Sequence, residues 1–395
     1  MLVTELDLPT YDHLDGVTGP RFHALLDEVA SQSWLGRGAT GLAVFDRGTC
    51  NALLRDRRFA FPALELLQLQ GVTSGPIWDR TVDGLMVQSG DAHARLRRLL
   101  MPAFTPRATE RLRPRLRELI EALWAPAAAA GECEFVSTLA EPLPSQAIAE
   151  LLDVPGDAPD LARWSVLLQE VFKFRLDETG PAVEQAYAEV RAYVFDKLAQ
   201  RRAAPGDDLI SVIGKTDLTD DECVTLVCSV ISGGTDTTQA QLAHGMRLFA
   251  EHPEQWKLLA DDPSLAPQAV EEVLRYEPIT PFTARIATED VEVRDVVFPE
   301  DTVVFLCAAT ANRDPAVFDE PQVFDIAKPR EAAPLTFGFG AHFCIGASLA
   351  RAELVETFTY LAPRVRDLRV DGDVLLGSPT GIYAVEQLPL AFTSV

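Results

Sequence analysis

Thr336-Phe-Gly-Phe-Gly-Ala-His-Phe-Cys-Ile-Gly346 sets three glycines, at 338, 340 and 346, around one cysteine, Cys344, just ahead of an apolar helical pattern over 346–361. Glycines at 338 and 340 let the backbone turn tightly and approach a flat object closely. A cysteine before a helix N-terminus meets free amides and the positive end of the helix dipole, and both favour the thiolate. A thiolate so held is a nucleophile or a metal ligand. The plainer alternative is a buried free thiol in a glycine-rich turn. The remaining cysteines, 50, 133, 223, 228 and 307, are scattered and form no CxxC pair. That suits a reducing compartment better than a disulfide framework, and it does not match a zinc knuckle.

Outward from this loop, helical periodicity dominates. It predicts helices over 20–32, 92–101, 107–124, 144–152, 158–174, 181–202, 219–250, 253–260, 265–275 and 346–361. Strand patterns are few: Leu42–Phe45, Ala284–Thr288, Val291–Val293, Thr302–Ala308 and Leu388–Phe392. The expectation is a mainly α protein with small antiparallel sheets. No linker or repeat divides it, so one domain is expected over 1–395, helical over about 90–275 and strand-bearing over about 35–65 and 280–395. The 395 residues are 47% hydrophobic, enough for a large core, and carry 59 acids against 35 bases, a net charge of -24. Such a surface repels nucleic acid and anionic lipid. The start, MLVTELDLPT, has no basic or apolar leader character, and no apolar run reaches the roughly 20 residues of a membrane span. A cytoplasmic protein without a membrane partner is expected.

Four further patterns carry chemistry. Glu272 and Arg275 are spaced to pair on one helix face, worth roughly 0.2–0.5 kcal/mol if exposed. Ser232-Gly-Gly-Thr-Asp-Thr-Thr238 interrupts a long apolar helix with two glycines and three threonines, which predicts a kink or opened turn. A new helix capped by Thr235 or Asp236 is the bland alternative. His93 and Arg97 share a face, and Arg285 and His342 are further basic candidates. Finally, residues 95–117 hold eight arginines and one acid, Glu110. This is either a basic docking face or a set of amphipathic arginines covering a helix.

F-G-x-G-x-H-x-C-x-G is similar to the haem-binding loop of the cytochrome P450 family, and the other segments follow in that family's order over roughly residues 60–395. The resemblance implies the cytochrome P450 fold, with haem between the long central helix and the Cys-loop helix. It implies haem b with Cys344 as axial thiolate, Phe337 and Gly346 beside it, and His93, Arg97, Arg285 and His342 as propionate donors. Glu272 and Arg275 become the family's E-x-x-R brace. Its usual third basic residue is replaced here by Val323, so that Arg313 or Arg330 substitutes or the triad is incomplete. Asp236 and Thr237 become the acid–alcohol proton relay. By analogy the substrate pocket takes in Trp78, Met86, Phe172, Ile231, Thr235, Ile279, Phe282, Ile382 and Tyr383, which favours a hydrophobic molecule, cyclic or aromatic.

The activity implied is insertion of one atom of dioxygen into a small molecule of secondary metabolism, by a monomeric enzyme fed by ferredoxin and ferredoxin reductase. Oxidative coupling, desaturation or nitration would share these motifs. A non-catalytic haem protein and a haem-free helical scaffold are more distant alternatives.

Overall fold

In the computed structural model, which describes residues 1–12 and 16–395, the apolar run after Thr219 forms two helices rather than one. Thr219 accepts from the Glu222 amide while the Glu222 carboxylate accepts from the Thr219 amide, a reciprocal cap. Helix Asp220–Gly234 then ends at the paired glycines, Thr235 departs from regular geometry (φ -104, ψ -72), and helix Asp236–Glu251 continues. The other expected helices are present with small shifts of boundary. The stretch 107–124 extends to Pro106–Ala130 and tolerates Pro114 and Pro126 inside it. The stretch 158–174 closes earlier, as Ala158–Gln169 with a short 3₁₀ turn Glu170–Phe172. Among the described residues five short helices escaped the periodicity: Arg47–Arg55, Ala63–Leu69, Pro76–Val82, Leu209–Gly214 and Ala308–Ala311. None exceeds 9 residues, too few turns for a stripe to show.

Two apolar clusters hold the helices together. One joins Pro106–Ala130, Asp236–Glu251, Ala266–Tyr276 and Ala347–Leu361 through Trp124, Phe249 and Phe358. The other joins Ala158–Gln169, Leu176–Ala203 and Asp220–Gly234 through Trp164, Val190, Val194, Leu226 and Ile231. Each fully buried side chain of this size contributes about 1.5–3 kcal/mol. The break at Thr235 therefore lies between two firmly packed helix halves.

The largest sheet runs in the order Thr10–Tyr11, Leu35–Gly38, Gly41–Val44, Val303–Cys307, Phe282–Ala287, Phe59–Ala60. It is mixed, not wholly antiparallel: the first pair and the central pair of Gly41–Val44 with Val303–Cys307 are parallel. No local pattern reports a pairing between strands so distant in sequence. Val365–Val370, Pro389–Ser394 and Glu132–Glu134 make a second, antiparallel sheet. Thr10–Tyr11 and Glu132–Glu134 fall outside the stretches expected to bear strands. Val291–Val293 turns back on Val296–Phe298 through Arg294 and Asp295, both at positive φ, as a two-residue hairpin requires. Among the described residues no helix is long and apolar enough to cross a membrane.

Candidate active site

The cysteine loop folds as two short 3₁₀ turns, Leu335–Phe337 and Gly340–His342, before helix Ala347–Leu361. The Cys344 amide donates to the Phe337 carbonyl at 2.9 Å. Gly340 sits at φ +76, and a Cβ there would lie 2.6 Å from the Leu54 carbonyl oxygen at the end of helix Arg47–Arg55. Replacing Gly340 by alanine is expected to lower stability by about 1–3 kcal/mol or more. Chemical denaturation checks this; an unchanged midpoint would show that the loop can lift off Leu54 freely.

The amides of Gly346 and Ala347 point at the Cys344 sulfur, and the Arg97 and Arg351 guanidiniums lie near enough to favour the thiolate. Burial nevertheless outweighs all four and pushes the Cys344 thiol above its ordinary range. The pull of the helix end is present but does not prevail alone. A metal ion bound to the sulfur would favour the thiolate further.

Cys344 is the one cysteine lining a cavity of about 500 Å³. Phe337, Gly346, His93, Arg97, Arg285 and His342 line it too. Arg285 is 5% exposed, donates to the neighbouring Ala284 carbonyl, and among the described residues pairs with no carboxylate. Burial lowers its pKa to about 10. Arg97 donates to the Phe343 carbonyl at 2.6 Å. The His93 and His342 rings stand 4.3 Å apart. Burial, then the charges of His93, Arg285 and Arg97, bring His342 down to about 4, so it is neutral at pH 7 and keeps one N–H to donate. Burial and Arg97 lower His93 as well. Arg97, Arg285, His93 and His342 line one cavity and form no ion pair among the described residues, and the single acid on that wall, Glu353, bonds to none of them; they are complementary to a ligand bearing carboxylates. The residues present thus fit haem: Cys344 would hold the iron, and His93, Arg97, Arg285 and His342 would donate to its two propionates.

The broken helix meets the same cavity through Ser232, Gly233, Gly234, Thr237 and Thr238. Breaking it frees carbonyls, and side chains take them. Ser232 O accepts from Ser165 Oγ at 3.3 Å and Gln169 Nε2 at 2.9 Å. Gly233 O accepts from Thr237 Oγ1 at 2.6 Å. The Asp236 amide donates to Ser165 Oγ. Asp236 itself is buried but does not line the cavity. It faces Lys173 and Glu170, and burial raises its carboxyl pKa against the opposing charge of Lys173. Only Thr237 of the expected acid–alcohol pair thus reaches the cavity wall.

Two wall residues escaped the sequence reading. Glu353 is 0% exposed, neither carboxyl oxygen has a partner, and burial raises its pKa well above the carboxylate range. Gln241 leaves its Oε1 unpartnered on the same cavity. Glu353, an acid on the apolar face of helix 346–361, was the available signal.

Of the two candidates for the missing base, Arg330 completes the buried brace. Glu272 accepts from Arg275 Nε and Nη2, both at 2.7 Å, and from Arg330 Nη2 at 3.1 Å. Val323 contributes its backbone carbonyl to both arginines, at 3.0 and 3.4 Å. Arg313 is engaged elsewhere, on the Tyr276 carbonyl and Gln322. Arg330 therefore supplies the third charge.

Of the residues expected in the substrate pocket, Met86, Phe172, Ile279, Phe282 and Ile382 line the cavity. Trp78, Ile231, Thr235 and Tyr383 do not. Trp78 packs on Leu67 and Leu176, Ile231 is in the helical core, and Thr235 and Tyr383 are buried off the wall. Phe61, Phe104, Phe174 and Phe305 add to the aromatic lining.

A cysteine, a broken helix and unpaired basic side chains sharing one cavity fit a haem-thiolate protein. The family model described as Cytochrome P450 matches residues 263–362. The chain is 38% identical to luteothin monooxygenase of Streptomyces thioluteus over 98% of its own length and 96% of that protein. It is 39% identical to erythromycin C-12 hydroxylase of Saccharopolyspora erythraea over 71% and 72% of the two chains. Its structure is similar to that of CalO2, with a TM-score of 0.91 at 30% identity over 98% and 99% of the chains. It is similar also to P450BioI in complex with an acyl-ligated acyl carrier protein, with a TM-score of 0.87 at 30% identity over 94% and 98%. The chain belongs to the cytochrome P450 family: it is a haem-thiolate monooxygenase.

Proposed function

We propose that Cys344 is the haem ligand, that His93, Arg97, Arg285 and His342 bind the propionates, and that the enzyme hydroxylates or epoxidises a hydrophobic secondary metabolite with two electrons from a ferredoxin served by its reductase. One observation carries the reading: a single cavity gathers the cysteine, the basic side chains His93, Arg97, Arg285 and His342 with no ion-pair partner among the described residues, and a helix opened at Gly233–Thr235. Bound haem supplies the oxidising chemistry, with electron density pushed from the sulfur.

The chain's own residues supply the rest. The apolar and aromatic wall formed by Met86, Phe172, Phe174, Ile279, Phe282 and Ile382 excludes water and orients an apolar substrate. Thr237 Oγ1, fixed by Gly233 O, offers a hydroxyl at the opened turn. Asp236, the preceding residue, is buried within electrostatic range of Lys173 and Glu170. Burial raises the Glu353 carboxyl and so favours its protonated form on the same wall. The relatives that carry names of preformed metabolites, luteothin and erythromycin, support oxygenation of a finished scaffold.

The arginine-rich stretch is less free than its composition implies. Arg113 and Arg117 share Glu356, Arg115 pairs with Glu118 and Glu150, and Arg95 with Glu222. Arg98, Arg107 and Arg111 form no ion pair among the described residues, and these we assign to the steering of an acidic ferredoxin.

Optical titration of the ferric enzyme with apolar metabolites is expected to shift the Soret band from low to high spin for a subset of them. A thiolate-haem spectrum that only charged compounds can shift would sink the hydrophobic assignment. Thr237→Ala is expected to retain haem and substrate binding while reductant consumption outruns product and hydrogen peroxide accumulates. Unchanged coupling would remove Thr237 from the proton path.

A further inference from the structure

A chain of buried charges runs behind the cavity wall and takes no part in the roles assigned above. His23 Nε2 meets Glu277 Oε1 at 2.9 Å, and Glu277 Oε2 accepts from Arg247 Nη2 at 2.8 Å. Arg247 also donates to Glu251 at 2.9 and 3.0 Å and to His244 Nδ1 at 3.3 and 3.4 Å. With Nδ1 accepting, His244 Nε2 carries the proton and donates to the Tyr383 carbonyl at 3.0 Å. Burial and the Arg247 charge hold the ring neutral, with a pKa near 3.

The chain of contacts ends on the wall. Tyr383 donates its amide to Ile279 O at 2.7 Å, and its hydroxyl accepts from the Gly19 amide at 2.6 Å. Its ring packs on His244 and Phe22. Tyr383 is off the cavity, but Ile382 before it and Ile279 bonded to it both line it, and they pack on each other with Ala240. Gln241, a third wall residue, donates to Glu277 O at 3.1 Å. Three separate wall segments are thus tied to one buried network. Buried ion networks are weak sources of net stability, and their best-attested use is to fix register.

We propose that His244 is a specificity-determining positioning residue, which through the Tyr383 carbonyl locks the Ile382 tip against Ile279, while His23, Glu277 and Arg247 lock His244. The inference rests on the haem-pocket reading above. A shift of this tip would change the shape offered to a bulky ligand and leave a small one unaffected.

The test uses the ferric holoenzyme and two probes that ligate haem iron, imidazole and 4-phenylimidazole, followed by the Soret shift. His244→Leu is expected to weaken 4-phenylimidazole about tenfold and imidazole less than about twofold, and His244→Gln, whose amide can still donate to Tyr383 O, to restore most of the loss. Equal weakening of both probes, no weakening of either, or failure of glutamine to rescue would each overturn the proposal. If His244→Leu yields no folded holoenzyme, Glu277→Gln is titrated by the same criteria. It keeps an acceptor for Arg247 and removes the countercharge. Absence of any shift with imidazole in the unsubstituted enzyme would overturn the haem-pocket reading, and this inference with it.

Discussion

Cys344→Ala is expected to abolish the red-shifted carbon monoxide band of the ferrous enzyme and all monooxygenation, while most helix content survives. The loop does not depend on the sulfur for its shape. Its turn is held by backbone bonds, Cys344 N to Phe337 O and Gly338 N to Leu335 O. Its seat is set by Gly340 against Leu54. What the substitution removes is the one thiol on the cavity. The other cysteines are off the wall, and Cys50, Cys223, Cys228 and Cys307 are all buried elsewhere. The carbonyl spectrum reads the ligand directly and circular dichroism reads the fold. A red-shifted band that survived the substitution would assign the thiolate to another residue.

Glu272→Ala is expected to cost about 3–5 kcal/mol, because it strands two buried guanidiniums at once. Glu272 is 0% exposed and Arg275 1%. Glu272 also accepts from the Asp325 amide at 3.0 Å. The damage should extend to the cysteine loop. Arg275 donates to the Asn312 carbonyl, and the Asn312 side chain donates to Thr336 Oγ1 and accepts from the Leu335 amide. Haem content per chain should therefore fall together with the urea midpoint. Arg330→Leu should cost clearly less, since Arg275 still neutralises Glu272. A Glu272→Ala enzyme within 1 kcal/mol of the parent, in the range of an exposed pair, would show that the brace is not needed for the loop.

Much of the site was legible because its signals are local. The spacing of glycines around Cys344, the glycine pair inside an apolar helix, and the i, i+3 pair of Glu272 and Arg275 are each written within a few residues. Helix existence was legible for the same reason, since a 3.6-residue period repeats over several turns. What was not legible depends on partners brought from afar. The parallel pairing of Gly41–Val44 with Val303–Cys307 joins segments some 260 residues apart. The substitution of Arg330 for the missing basic residue at 323 depends on how the chain after Pro321 curls back to Glu272. The exclusion of Trp78, Ile231 and Tyr383 from the cavity turns on which way a helix or strand faces once packed, because a shift of one residue along a strand reverses its faces.

By itself, then, the amino-acid order determined the family, the cysteine proposed as haem ligand, the weak point in the central helix and the predominance of helix, all of them consequences of short-range spacing. The tertiary structure alone decided the energetics. Burial, a property of the whole fold, pushes the Cys344 thiol up against the pull of its helix end, raises the Glu353 and Asp236 carboxyls and lowers His342. It also gathers His23, His244, Arg247 and Glu277 from three distant segments into one buried network. Desolvation and charge pairing depend on distances in space, and a linear pattern carries those only where neighbours in space are also neighbours in the chain.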